Sequence, residues 1–148
     1  MCGREVNDTP LLTERHGESG RRAVLEDTGV AAYLYLSSPD SDAIVADAWV
    51  YNRIEAPTID TIKDYRPDPP PAAEGYTTAD GYLPNPAAYA WTFEWAPDGQ
   101  SVAICADGIA LAFIRAGQRA GFSRHLVRSG PWGEPWSDDV YEATFPRR

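Results

Sequence analysis

Trp91-Thr-Phe-Glu-Trp-Ala-Pro-Asp-Gly-Gln-Ser-Val-Ala-Ile-Cys-Ala-Asp-Gly-Ile-Ala-Leu-Ala-Phe113 decides the fold. Its first five residues alternate apolar and polar, which is the period of a half-buried strand. Ala-Pro-Asp-Gly at 96–99 is a type I turn signature, with Gly99 supplying a positive φ. Asp107-Gly108 is a two-residue type I′ hairpin signal. Pairing Trp95 with Gln100 sets Phe93 opposite Val102 and Trp91 opposite Ile104. The second turn sets Ala106 opposite Ile109, Ile104 opposite Leu111 and Val102 opposite Phe113. Both turns thus put Trp91, Phe93, Val102, Ile104, Leu111 and Phe113 on one apolar face of a three-stranded meander.

A returning strand is expected over residues 119–127, and a short terminal strand over 140–145. Upstream, Val30-Ala-Ala-Tyr-Leu-Tyr-Leu36 and Ala43-Ile-Val-Ala-Asp-Ala-Trp-Val-Tyr51 flank a cluster of turn formers and read as a second hairpin. Pairing Leu36 with Ile44, Leu34 with Ala46, Ala32 with Ala48 and Val30 with Val50 makes one face aliphatic. A one-residue slip would mix the faces, which a buried face resists. Residues 58–65 read as two helical turns capped by Thr58, or as extended chain. The fold class is therefore mainly β: antiparallel sheets of meandering hairpins with about six to eight strands and at most one or two short helices.

The stretch Trp95-Ala-Pro-Asp-Gly-Gln-Ser-Val-Ala103 resembles the Trp-Ser-Pro-Asp-Gly turn of TolB-like propeller repeats. The resemblance spans about ten residues in a single copy, whereas a propeller repeats blades of about 40 residues. It implies hairpin geometry and no function.

A chain of 148 residues fits one domain, 1–148. Residues 1–21 are polar without periodicity and read as a loose N-terminal arm. Residues 66–87 hold six prolines, which forbid a continuous helix or a central strand, so they form a long surface connection. The net charge of −9 and pI near 4.6 argue against a nucleic-acid binder and against attachment to an anionic membrane. No apolar run reaches a membrane span, and the first residues lack the pattern of a signal peptide. Twelve arginines against the single Lys63 fit the coding bias of a GC-rich genome. A bacterial cytoplasmic location is expected, with Cys105 as a small buried hydrophobe in a strand.

Chemical signatures are sparse. His16, His125, Cys2 and Cys105 show no zinc spacing, and the acidic pairs fall short of a calcium loop, so no metal and no cofactor are expected. There is no nucleophile elbow and no phosphate loop. Ser123 and His125 share a strand face merely by lying two apart, so no catalytic residue is assigned. Two candidate binding surfaces remain. One is the aromatic-acid face of the first hairpin, Tyr33, Tyr35, Asp47, Trp49 and Tyr51. It is either an exposed contact surface or, the preferred reading, is covered by the proline-rich segment or the arm, with Asp47 accepting a tyrosine hydroxyl. The other is a basic run, Arg115, Arg119, Arg124, His125 and Arg128, without an acid between residues 109 and 130. It either grips a carboxylate or phosphate or, as preferred, pairs with acids of the first half. Ser129-Gly-Pro-Trp-Gly-Glu-Pro-Trp136 reads as a plug over a sheet end.

These readings point to a non-catalytic binding domain that meets a protein partner through its acidic or aromatic surface. The alternative is a small enzyme or binder of an anionic ligand, with a pocket near Arg124, His125, Trp49 and Asp47. A homodimer through a sheet edge is a further option.

Overall fold

A computed structural model describes residues 11–146. The first sheet is an antiparallel meander in chain order: β1 (Leu11–Arg15), β2 (Arg22–Asp27), β3 (Ala31–Ser37) and β4 (Ile44–Asn52). The second holds β5 (Trp91–Trp95), β6 (Val102–Ala106), β7 (Ile109–Ile114) and two short strands, β8 (Phe122–Ser123) and β9 (Glu134–Pro135). All its pairings are antiparallel except β8 with β9. Short 3-10 turns, Ile59–Tyr65, Ala79–Gly81 and Pro86–Ala88, punctuate the connection between the sheets, and helix α1 (Asp138–Thr144) follows β9. The protein is mainly β, as the hairpin signals require.

The sheets face each other across a shared core. Leu25, Leu34, Leu36, Ala46, Ala48 and Val50 meet Val102, Ile104, Leu111, Ala112 and Ile114 there, and Trp91, Phe93 and Trp95 close its rim. Each fully buried leucine or isoleucine stabilises the fold by about 1.5–3 kcal/mol. Asp107 and Gly108 have φ of 50° and 83°, the type I′ geometry, and Ala106 lies opposite Ile109 as expected.

Registers differ from expectation in a regular way. Trp95 pairs with Val102 and Phe93 with Ile104; Leu36 pairs with Ala46 and Leu34 with Ala48. Both hairpins are slipped by two residues, which keeps every side chain on its face because strand periodicity is two. Three irregularities do change faces. Register shifts between Leu36 and Ser37 and between Ala32 and Tyr33 leave Val45 and Val50 as extra residues on β4, and a third makes Leu111 extra on β7. Beyond Val50, Tyr51 therefore turns into the shared core, away from Tyr33 and Trp49. Beyond Leu111, Phe113 leaves the expected apolar face for the opposite one. There it stacks on Phe122 with centroids 4.8 Å apart and meets Trp136, Tyr141 and Phe145 edge-on.

Other expectations are corrected. Residues 11–21 are not a loose arm; they form β1 and its turn, closed by the His16 amide donating to Arg21 O at 2.8 Å. The loose-arm reading of residues 1–10 lies outside the described residues. Residues 140–144 are helical, not extended, and Phe145 caps the helix. Ser137 Oγ accepts from the Val140 amide at 3.3 Å, and Asp138 and Asp139 occupy the positive first turn. Thr58 does not cap Ile59–Tyr65 with its side chain. Of the strand expected over 119–127 only Phe122–Ser123 is paired in the sheet, because the preceding residues join β4 instead.

That junction holds the sheets together along one edge. The Asp47 amide donates to Arg119 O at 2.9 Å, the Gly121 amide to Asp47 O at 2.9 Å, and the Glu134 amide to Gly121 O at 2.9 Å. A Cβ on Gly121 would stand 2.5 Å from Phe113 O and 2.7 Å from the Ala48 Cβ, so only glycine lets the backbone pass. Gly121→Ala is expected to lose about 1–3 kcal/mol of stability by overpacking in chemical denaturation. Gly117→Ala, strained by its φ of 82° but in open space, loses about 1 kcal/mol. Equal losses would contradict the close-approach argument.

Candidate functional site

The outer face of β3 and β4 carries Tyr33, Tyr35, Asp47 and Trp49, and the proline-rich connection lies across much of it. Ala72 and Ala73 pack against Tyr33 and Trp49 with Leu126 and Trp132, and Tyr35 and Ile62 are packed at the margin. The Tyr33 hydroxyl donates to Pro70 O at 2.6 Å. Burial pushes that hydroxyl far above its ordinary range, and burial with nearby Glu26 and Asp47 pushes Tyr35 up to about 12. Both phenols are neutral donors at any physiological pH.

Asn52 is the centre of this cover. Its Nδ2 donates to Ala72 O at 2.9 Å, and its Oδ1 accepts from the Ala72 amide at 2.8 Å and from Trp49 Nε1 at 2.9 Å. One carboxamide stands in for a peptide group of a neighbouring strand, which an acid or a hydroxyl of similar size could not do. The Asn52 backbone oxygen accepts from the Leu83 amide at 2.8 Å. Residues on both sides of the connection are thus tied to one side of β4. Trp132 is buried in the same cluster, and Trp136 packs on the opposite side of the second sheet, so the two tryptophans of the Pro-Trp run cover different surfaces.

Asp47 does not take a tyrosine hydroxyl. It stays exposed beside Arg119, its carboxyl raised by the crowding of surrounding protein and partly drawn back by that guanidinium. Tyr51, on the inner face, donates to Asp27 Oδ2 at 2.6 Å, and Asp27 also pairs with Arg53 at 3.1 Å. The five residues of the expected aromatic surface therefore serve three different environments.

The basic run is dispersed as well. Arg124 Nε donates to Ala110 O at 2.6 Å, with its guanidinium carbon 4.1 Å from the Trp136 ring centre. Arg128 lies over Tyr76 at 4.4 Å. His125 is half-buried near Asp80, and its Cβ and the Trp49 ring edge both lie against Gly81. Ser123 is buried and donates to Trp49 O. Arg124, His125 and Asp47 do not converge on one pocket.

The ion pairs among the described residues are Arg15–Asp42, Arg22–Asp42 and Arg53–Asp27, so the expected pairing of the basic run with first-half acids does not form there. Arg115 and Arg119 instead join Arg21 along a cleft of about 500 Å³, with Ile44, Val45 and Gln118 in its wall. Arg21 is the last residue of the segment whose sequence reads as an arm. Nothing local in the sequence brings it near residues 115–119; only the two-sheet packing does. Among the described residues no group of three or more metal-ligating side chains gathers, and no helix is long and apolar enough to cross a membrane.

Two outcomes follow from this geometry. Asn52→Ala would leave the Ala72 amide and carbonyl and the Trp49 indole unpartnered in the interior, a loss of at least about 2 kcal/mol. Limited proteolysis of the variant is expected to cut within residues 66–76 before the sheets unfold. The second concerns His125, whose imidazole lies below its ordinary 6.5 because burial strips water from the charged form. The unfolded chain therefore takes up this proton first, and stability present above pH 6.5 declines as pH falls through that value. Asp47, raised, acts with the opposite sign, and Asp42, lowered below 3.8 chiefly by its bond from Arg15, acts only in more acid solution. Thermal unfolding between about pH 7.5 and 5.5 should fall less in His125→Gln than in the parent; parallel curves would contradict the assignment.

Comparison with known proteins finds no matching family model, no similar curated protein and no similar solved structure.

Proposed function

We propose that the chain is a non-catalytic binding domain of the cytoplasm, that its working surface is the acidic connection laid over the first sheet, and that its partner is a protein presenting a basic face. The carrying observation is the way the connection is held. A segment of this length with only short helical turns is uncommon inside a compact fold and is usually either functional or disordered. Here it is ordered by buried bonds at Asn52–Ala72 and a partly buried one at Tyr33–Pro70. Rigid support under a long surface loop is how binding loops are generally presented.

The exposed side of that segment has the chemistry of a contact surface. Glu55, Asp60, Asp64, Asp68, Glu74 and Asp80 are exposed along it against Lys63 and Arg66. The Glu74 amide donates to Pro57 O at 2.7 Å, which draws the two limbs of acids together. Ile59 is 49% and Tyr82 41% exposed, giving apolar points among the charges. Charges of this kind set approach rate and partner choice more than final affinity.

The test uses affinity capture from the native host with the parent chain and with Asp60→Lys/Asp64→Lys/Glu74→Lys, three exposed changes expected to leave the fold intact. The captured protein should be held by the parent at low salt, released as salt rises from about 0.05 to 0.5 M, and absent from the variant. Retention that ignores both salt and charge reversal would overturn the proposal.

A second reading, a binder of a small anionic ligand, is favoured by the arginine-lined cleft rather than by the region of Arg124 and His125. The sheet-edge dimer has less room than the hairpins suggest. Arg119, Gly121, Trp132 and Leu83 already bond to β4 along Asp47–Asn52, leaving β1 as the outer strand of the first sheet among the described residues.

A further inference from the structure

We infer that the cleft between the β3–β4 turn and the β7–β8 loop is a binding site for a small phosphorylated molecule with a compact apolar part. The inference is independent of the acidic connection, which approaches the opposite end of β4.

The cleft is lined by Arg21, Arg115 and Arg119, with Gln118 and the apolar Ile44 and Val45 beside them. Its volume of about 500 Å³ falls within the range of small-molecule sites, roughly 300–1,000 Å³. Three arginines line this one cleft in a chain whose net charge is −9. Like charges brought together cost free energy unless a counter-charge is supplied. Asp47 stands beside Arg119, Asp42 of the β3–β4 turn is taken up by Arg15 and Arg22, and the ion pairs among the described residues include none of the three arginines.

One arginine is fixed in advance. Arg21 Nε donates to Gln100 Oε1 at 2.8 Å and its Nη1 to Ser37 O at 2.9 Å, which locks the guanidinium plane between the two sheets. A pre-set planar donor is suited to a tetrahedral or planar oxyanion and loses little freedom on binding. Arg115 and Arg119 stand four residues apart in the loop that turns at Gly117 (φ 82°). Several guanidiniums around one anion match the dianionic phosphate monoester better than a single carboxylate, because the second charge is also compensated.

The apolar wall argues for an attached organic group. Ile44 is 48% and Val45 43% exposed at the start of β4, where the register shift leaves Val45 without a partner on β3. Large aliphatic side chains displayed next to arginines offer a surface for the non-phosphate part of a ligand, and their burial would add to binding.

The test uses the full chain with phenyl phosphate as the probe, and inorganic phosphate and phenol as separate arms. Phenyl phosphate is expected to raise the thermal unfolding midpoint in proportion to its concentration and to shift the amide resonances of Ile44, Val45, Gly117 and Gln118. Arg115→Ala and Arg119→Ala should each weaken it about tenfold or more, while Arg119→Lys, which keeps charge and loses the planar fork, recovers only part of the affinity. Ile44→Ser should weaken phenyl phosphate and leave inorganic phosphate unchanged. Arg119 is exposed and Arg115 half-buried, and the unfolding midpoints of the alanine variants without probe serve as the check that they fold. The proposal is overturned if phenyl phosphate binds the folded Arg115→Ala/Arg119→Ala double variant as well as the parent, or if its shifts map to Arg124 and Arg128. It is likewise overturned if phenol alone binds as tightly.

Discussion

The structure depends on one close backbone passage, where Gly121 slips between Phe113 and Ala48. Two meanders could pack face to face by apolar contact alone, and such packing is non-directional. The bonds from Asp47 to Arg119, from Gly121 to Asp47 and from Glu134 to Gly121 make it directional, because they fix β4 against the second sheet along a shared edge. They also satisfy backbone groups that a free edge strand would leave open. Gly133 repeats the constraint from the other side, since a Cβ there would stand 2.6 Å from Gly121 O. Glycines at both positions are the condition for β8, β9 and the Trp132 segment to reach their places.

What the sequence revealed and what it hid divide along a physical line. Period-two alternation is a property of single strands, and it placed Leu34, Leu36, Val102 and Ile104 on the correct faces even where the register was two residues off. The extra residues Val45, Val50 and Leu111 have no such local mark, being ordinary strand formers, and each one inverts the alternation after it. Hence Tyr51 and Phe113 changed faces. Edge strand β1 buries little and so shows almost no pattern, while α1 is one short helix whose apolar residues also suit a strand. Cap chemistry at Ser137 decides that case, and it is a weaker signal than the run Val140-Tyr141.

The candidate sites were legible in part for the same reason. A cluster of arginines in sequence looks like a patch, but the chain turns at Arg124 and His125, closed by the Leu126 amide donating to Ser123 O, and the two side chains part there. Arg21 joined Arg115 and Arg119 through packing of residues far apart in the chain, which composition cannot announce. The covered state of Tyr33 and Trp49 was foreseeable from the proline-rich segment, whose backbone had to be laid over something. That Asn52 would be the fastener was not, because a single buried asparagine resembles any other polar residue until its partners are placed.

Asn52 has a consequence for how this domain can diversify. Its side chain clasps Ala72 and its backbone oxygen takes Leu83, so the chain leaves the strand and returns to the same residue twice. Residues 53–71 and 73–82 are two loops knotted at Asn52 and joined once more by the bond from the Glu74 amide to Pro57 O. A framework of that kind tolerates exchange of either loop, in length or in sequence, as long as the knot is kept. The same sandwich could then carry a different surface for each partner, with one buried amide as its interchangeable fitting.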